Sequence, residues 1–172
     1  MKKISFITLA FIALSLVSCS NFKEEAKPLF KDLNQLYEIS LSKSKITQQV
    51  WYTAIYDKKY ALSTSNNFDD YYVSDFNLAI SRMEEEQTIK EVNSKIDSLS
   101  TIVSTEVGKV SDKKNESYDK LISLYTNVIE LSKKARTPSG NLQSYSDDIE
   151  KMESDINKLI TELQARNPEF AK

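Results

Sequence analysis

The chain has 172 residues, with 23 Lys and Arg against 25 Asp and Glu, no histidine, one cysteine and two glycines. A formal charge of −2 offers no basic face to nucleic acid. The missing histidine removes the usual general base and the commonest zinc ligand, and two isolated glycines cannot build a phosphate-binding loop. With only three prolines besides, the chain lacks the breakers that a turn-rich sandwich or barrel requires. The composition is that of an all-α protein.

The amino terminus reads first as a targeting segment. Lys2 and Lys3 precede an apolar stretch from 4 to 17 that is interrupted only by small polar residues. At about 14 residues it falls short of the roughly 20 needed to span a bilayer, so a signal-peptide core fits better than a permanent anchor. The tetrapeptide Leu16-Val17-Ser18-Cys19 follows, and it holds the only cysteine. It resembles the lipobox of bacterial lipoproteins. The resemblance implies a diacylglycerol on the Cys19 sulfur, cleavage just before it, and attachment to the extracytoplasmic side of a bacterial membrane. Two acyl chains, at about 0.8 kcal/mol per buried methylene, hold a protein on a bilayer far more firmly than one. The competing readings are an ordinary secretory signal with a stray thiol, or an uncleaved short anchor. Loss of Lys2 and Lys3 would move the formal charge from −2 to −4. The expected division is a signal peptide over 1–18, a lipidated tether over 19–27, a helical bundle over 28–166 and a tail over 167–172.

Pro28 suits a first helical turn, so the first helix of the bundle is predicted over about 28–62. A break at "STSNNFDD" follows, with Asn67 as N-cap and Asp70 in the first turn of the next helix. That helix carries Tyr72, Phe76, Ala79 and Met83 and, beyond a polar gap at 84–87, Val92, Ile96, Leu99 and Val103. Apolar positions continue across Gly108 through Val110 to Tyr118 and Leu121 at near-helical spacing. Two forms are open: one helix over about 69–136, on the order of 100 Å long, or a break at "GKVSDKKNES" and a compact four-helix bundle. The elongated form is favoured, because the flanking helices can each pack on one half of a long helix.

Downstream, Tyr118, Leu121, Tyr125, Val128, Ser132 and Ala135 repeat the 3-4 spacing. "RTPSGN" then makes a tight break at Pro138 and Gly140. The last segment is the clearest. Leu142, Tyr145, Ile149, Met152, Ile156, Leu159 and Leu163 step alternately by 3 and 4 residues. That is a sustained a/d seam with charged residues outside it. A short connection between two striped helices predicts an antiparallel hairpin. The expected fold is therefore a set of elongated antiparallel helical hairpins, a coiled-coil-like bundle of three to four helices.

Eight of the 17 aromatics fall between positions 51 and 76. Trp51, Tyr52, Tyr56, Tyr60, Tyr71 and Tyr72 form a candidate interaction patch around the predicted turn, with Tyr52, Tyr56 and Tyr60 on one helical face. Exposure is expected for Tyr52 and Tyr56, whereas Trp51 and Ile55 are expected to face the second helix. The blander alternative is an aromatic plug closing the end of the bundle.

No catalytic, metal or cofactor site is expected. The acid clusters Asp69-Asp70, Glu84-Glu85-Glu86 and Asp147-Asp148 lack cation-loop spacing and read as caps or solvated faces. Two function classes remain: a membrane-anchored, non-enzymatic module that binds a protein partner, or a structural spacer lipoprotein of the cell envelope. The style of the chain also resembles small uncharacterised helical lipoproteins.

Overall fold

The computed structural model describes residues 5–57, 59–60, 71–72 and 76–171, with side chains described over 22–57 and 77–171. Among the described residues there are five α-helices: α1 (Ser5–Tyr52), α2 (Phe76–Glu85), α3 (Gln87–Val107), α4 (Tyr118–Arg136) and α5 (Leu142–Arg166). A π-helical turn, Thr53–Asp57, extends α1, and a 3-10 turn, Pro168–Ala171, follows α5. The strands β1 (Lys59–Tyr60) and β2 (Tyr71–Tyr72) form a minimal antiparallel ladder that pairs Lys59 with Tyr72 and Tyr60 with Tyr71.

The helices form an all-α up-and-down bundle. α1 rises, α2 and α3 descend as one interrupted helix, α4 rises, and α5 descends. Cross-helix pairs fix these directions. On α1, Lys23 meets Glu169, Lys45 meets Glu153 and Trp51 meets Tyr145, in reverse chain order. Between α4 and α5, Lys134 pairs with Asp148 and Lys120 with Glu162, again antiparallel. The main core joins α1 residues Leu29, Leu33 and Leu36 to Ile96 and Val103 of α3, Leu124 and Leu131 of α4, and Ile149, Ile156 and Leu163 of α5. Burying one such side chain stabilises the fold by about 1.5–3 kcal/mol.

The elongated form is not what the chain adopts. The helix stops at Val107, and 108–117 turns the chain back so that α4 packs antiparallel on α3. Ser104 Oγ and the Tyr125 hydroxyl lie 3.2 Å apart across that hairpin. Two long-range contacts hold the turn. Val110 is buried, and the Glu25 carboxylate of α1 accepts hydrogen bonds from the Ser111 backbone N–H and hydroxyl at 2.7 and 2.9 Å. Near-helical apolar spacing across Gly108 arises because Val110 plugs the bundle end from a loop.

The polar gap at 84–87 interrupts the descending helix. Glu86 is extended, with ψ 134°, and separates α2 from α3. α2 packs through Ala79 and Met83 against Val50 and Ala54, together with Ile89, in a second, smaller cluster.

Four expected boundaries move. Pro28 lies inside α1, not in a first turn. The tether expected over 19–27 lies within α1 and packs on the core, since Phe22 and Ala26 are fully buried. The tail expected over 167–172 caps the core: Asn167 is buried, and Phe170 stacks on Phe30 with ring centroids 4.7 Å apart. At its upper end α1 stops at Tyr52, ten residues before the expected limit. The caps expected at Asn67 and Asp70 lie outside the described residues.

The α4–α5 hairpin matches the sequence pattern. Gly140 adopts φ +94°, where a Cβ would be strained and would meet Ser144 Oγ at 3.0 Å. Asn141 then caps α5 through a reciprocal box with Ser144. Tyr145, Ile149, Ile156 and Leu163 are fully buried along the seam, while Leu142, Met152 and Leu159 are half-buried beside it. In α4 the seam is wider than the 3-4 spacing alone, because Leu124 and Leu131 are also fully buried.

Candidate functional site

The upper end of the bundle carries the aromatic residues. α1 loosens there into the π-helical turn, where the Thr53 hydroxyl donates to the Gln49 carbonyl at 2.7 Å. Tyr52 and Tyr56 are 52% and 65% exposed, and their rings lie 4.6 Å apart, tilted by 43°. They are the exposed aromatic pair of the described surface, as the four-residue spacing predicts.

Trp51 does not belong to that surface. It is buried, and its ring meets Tyr145 of α5 edge to face at 5.4 Å and 84°. It therefore packs on the last helix, where α2 had been expected, and Val50 and Ala54 take the α2-facing positions. Ile55 is half-buried. The aromatic cluster thus divides into a core wedge, Trp51 with Tyr145, and an exposed pair, Tyr52 with Tyr56. Tyr60, Tyr71 and Tyr72 are brought together in the β1–β2 ladder, but their side chains lie outside the described residues. The Cys19 backbone is part of α1, and its side chain also lies outside them. Among the described residues no helix is long and apolar enough to cross a membrane.

Beneath the aromatic end lies a polar layer that sequence periodicity did not single out. Ser40, Lys43, Ser44 and Thr47 occupy the apolar-stripe positions of α1 and are all fully buried. Lys43 Nζ donates to Glu84 Oε1 at 2.7 Å and to the Ala135 carbonyl at 2.6 Å, in the last turn of α4. Asn93 Nδ2 of α3 donates to the other Glu84 oxygen at 2.7 Å. Burial pushes the Lys43 ammonium below its ordinary pKa, against the pull of Glu84. Glu84 is therefore no member of a solvated face: it ties α2 to α1 and α3, and Lys43 carries the link on to α4. The signal for this layer was the run "SLSKSKIT", whose small polar residues recur at 3-4 spacing on an otherwise apolar stripe.

The described acids of the other clusters stay at the surface. Asp147 and Asp148 are exposed, bonded to Gln143 and Lys134. Asp69 and Asp70 lie outside the described residues. Among the described residues, no three His, Cys, Asp or Glu side chains are placed to hold a metal ion.

Among the described residues, the fold and this end of it define an antiparallel helical bundle with an exposed aromatic pair at its tip. No family model, curated protein or solved structure matches the chain.

Proposed function

We infer that the chain is an extracytoplasmic helical lipoprotein, anchored to a bacterial membrane through Cys19, which works as a non-enzymatic protein-interaction module. The observation that carries the interaction reading is the Tyr52–Tyr56 pair. The other aromatics with described side chains are buried or half-buried, and these two are left exposed side by side. Tyrosine supplies rigid contact area with a polar handle, which is why binding energy concentrates on it. The anchor reading is supported by the charged start, the short apolar run and the lipobox-like Leu16-Val17-Ser18-Cys19.

The anchor is tested by detergent partitioning and mass measurement. Wild type should enter the detergent phase with added lipid mass, and Cys19→Ser should do neither. The interaction is tested by a photoreactive phenylalanine analogue at position 56 in intact cells, with the same analogue at exposed position 143 as control. A discrete protein adduct from position 56 alone supports the module. No adduct from either position favours the spacer lipoprotein.

A further inference from the structure

We propose that the bundle stands end-on on the bilayer, with the 108–117 loop seated against phospholipid phosphates. The proposal rests on the lipid anchor at Cys19. It begins with chain length. Phe22 is fully buried in the core only three residues after Cys19. Three residues reach at most about 11 Å even when extended, so the lower end of the bundle cannot leave the headgroup layer.

What that end presents is the loop. Glu25 bonds Ser111, which fixes the loop beside the Phe22–Ala26 stretch of α1. Lys109, Lys113 and Lys114 are exposed on it, with the half-buried Glu106 near enough to Lys109 to interact with its charge. Of its two acids, Asp112 is half-buried, and Glu116, 93% exposed, lies 3.6 Å from Arg166. Each basic side chain brought near an anionic membrane surface strengthens attachment about fivefold, and the effect fades within a Debye length. The opposite end exposes Asp57, Glu85 and Asp147, and the loop end exposes Glu24 and Asp119 beside Lys23 and Lys27. With a processed formal charge of −4, a bundle lying on its side would bring acids toward the same phosphates. Chain length and the three loop lysines therefore favour one pose, which holds the tyrosine pair at the far end of α1. Thirty residues separate Phe22 from Tyr52, or about 45 Å of helix.

The test uses the full lipidated chain in vesicles of phosphatidylglycerol and phosphatidylcholine. Thiol titration of wild type comes first, because a thioether leaves Cys19 unreactive. Lys114→Cys and Gln143→Cys are then labelled with a fluorophore, and quencher-bearing headgroups are added. The expected result is loss of fluorescence at position 114 with fluorescence at 143 retained. Lys109→Gln with Lys113→Gln should weaken that loss, as should high salt. Equal quenching at both positions means a bundle lying flat, and no quenching at either means one held off the surface. Either overturns the seat while the anchor stands. A free Cys19 thiol overturns the anchor, and the seat with it.

Discussion

Trp51 of α1 and Tyr145 of α5 meet edge to face, 5.4 Å apart and at 84°, and both are buried. This contact joins the first and last helices at the upper end of the bundle. It also separates the packing role of the aromatic cluster from its exposed role. Trp51→Ala should cost about 3–5 kcal/mol, the usual range for removing a large buried aromatic. Tyr52→Ala with Tyr56→Ala should shift stability by no more than about 1 kcal/mol, as surface changes do. Urea midpoints of the two variants check this, and a double tyrosine variant as unstable as Trp51→Ala would return the pair to the core.

The buried Lys43 gives a second contrast. Removing Glu84 strands an ammonium in the core, and breaking such a pair costs about 3–5 kcal/mol when it is fully buried. Because Glu84 is partly exposed, at 29%, about 2–3 kcal/mol is expected for Glu84→Ala. Lys43→Met keeps the volume without the charge and should be neutral to within about 1 kcal/mol, or stabilising. Chemical denaturation of both variants decides it: equal losses would mean that Lys43 contributes by its charge.

Ile156 lies fully buried in the α5 seam, while Glu153 sits outside it and pairs with Lys45 at 3.0 Å. Ile156→Asp buries an unpartnered carboxylate and should cost more than about 4 kcal/mol, enough to unfold a marginal bundle. Glu153→Ala removes one exposed ion pair and should cost no more than about 1 kcal/mol. Circular dichroism on heating distinguishes them.

Stability should also fall in acid. Hydrogen bonding to Lys120 holds the Glu162 carboxyl below its ordinary pKa. A depressed folded pKa gives stability that is present above the unfolded value. That stability is lost as pH falls through the folded value. Glu162→Gln should therefore lower the melting temperature slightly at neutral pH and flatten its decline below the ordinary carboxylate range. A variant whose acid limb parallels that of wild type would rule out this contribution.

The local pattern carried far in this chain. Few breakers dictated helix, and the alternating steps of 3 and 4 from Leu142 to Leu163 identified the buried face of α5. Pro138 and Gly140 placed the hairpin, because a residue at φ +94° is costly for anything but glycine. The spacing of Tyr52 and Tyr56 put both on the exposed side, since residues four apart share a helical face.

What the sequence by itself determined was which positions are apolar and on which face they lie. Tertiary structure decided what covers each face. Trp51 found Tyr145 where α2 was expected, because periodicity assigns a side chain to a face and names no partner for it. The turn at 108–117 depends on Glu25, 86 residues upstream of Ser111, and no local window contains both. The same holds for Lys43, whose charge argues for solvent until Glu84, from a helix 41 residues on, and the Ala135 carbonyl surround it. Phe22 and Phe170 read as parts of a tether and a tail, yet both are buried in the packed bundle. Burial is a property of the assembled helices. A short segment acquires it only when distant chain removes its water.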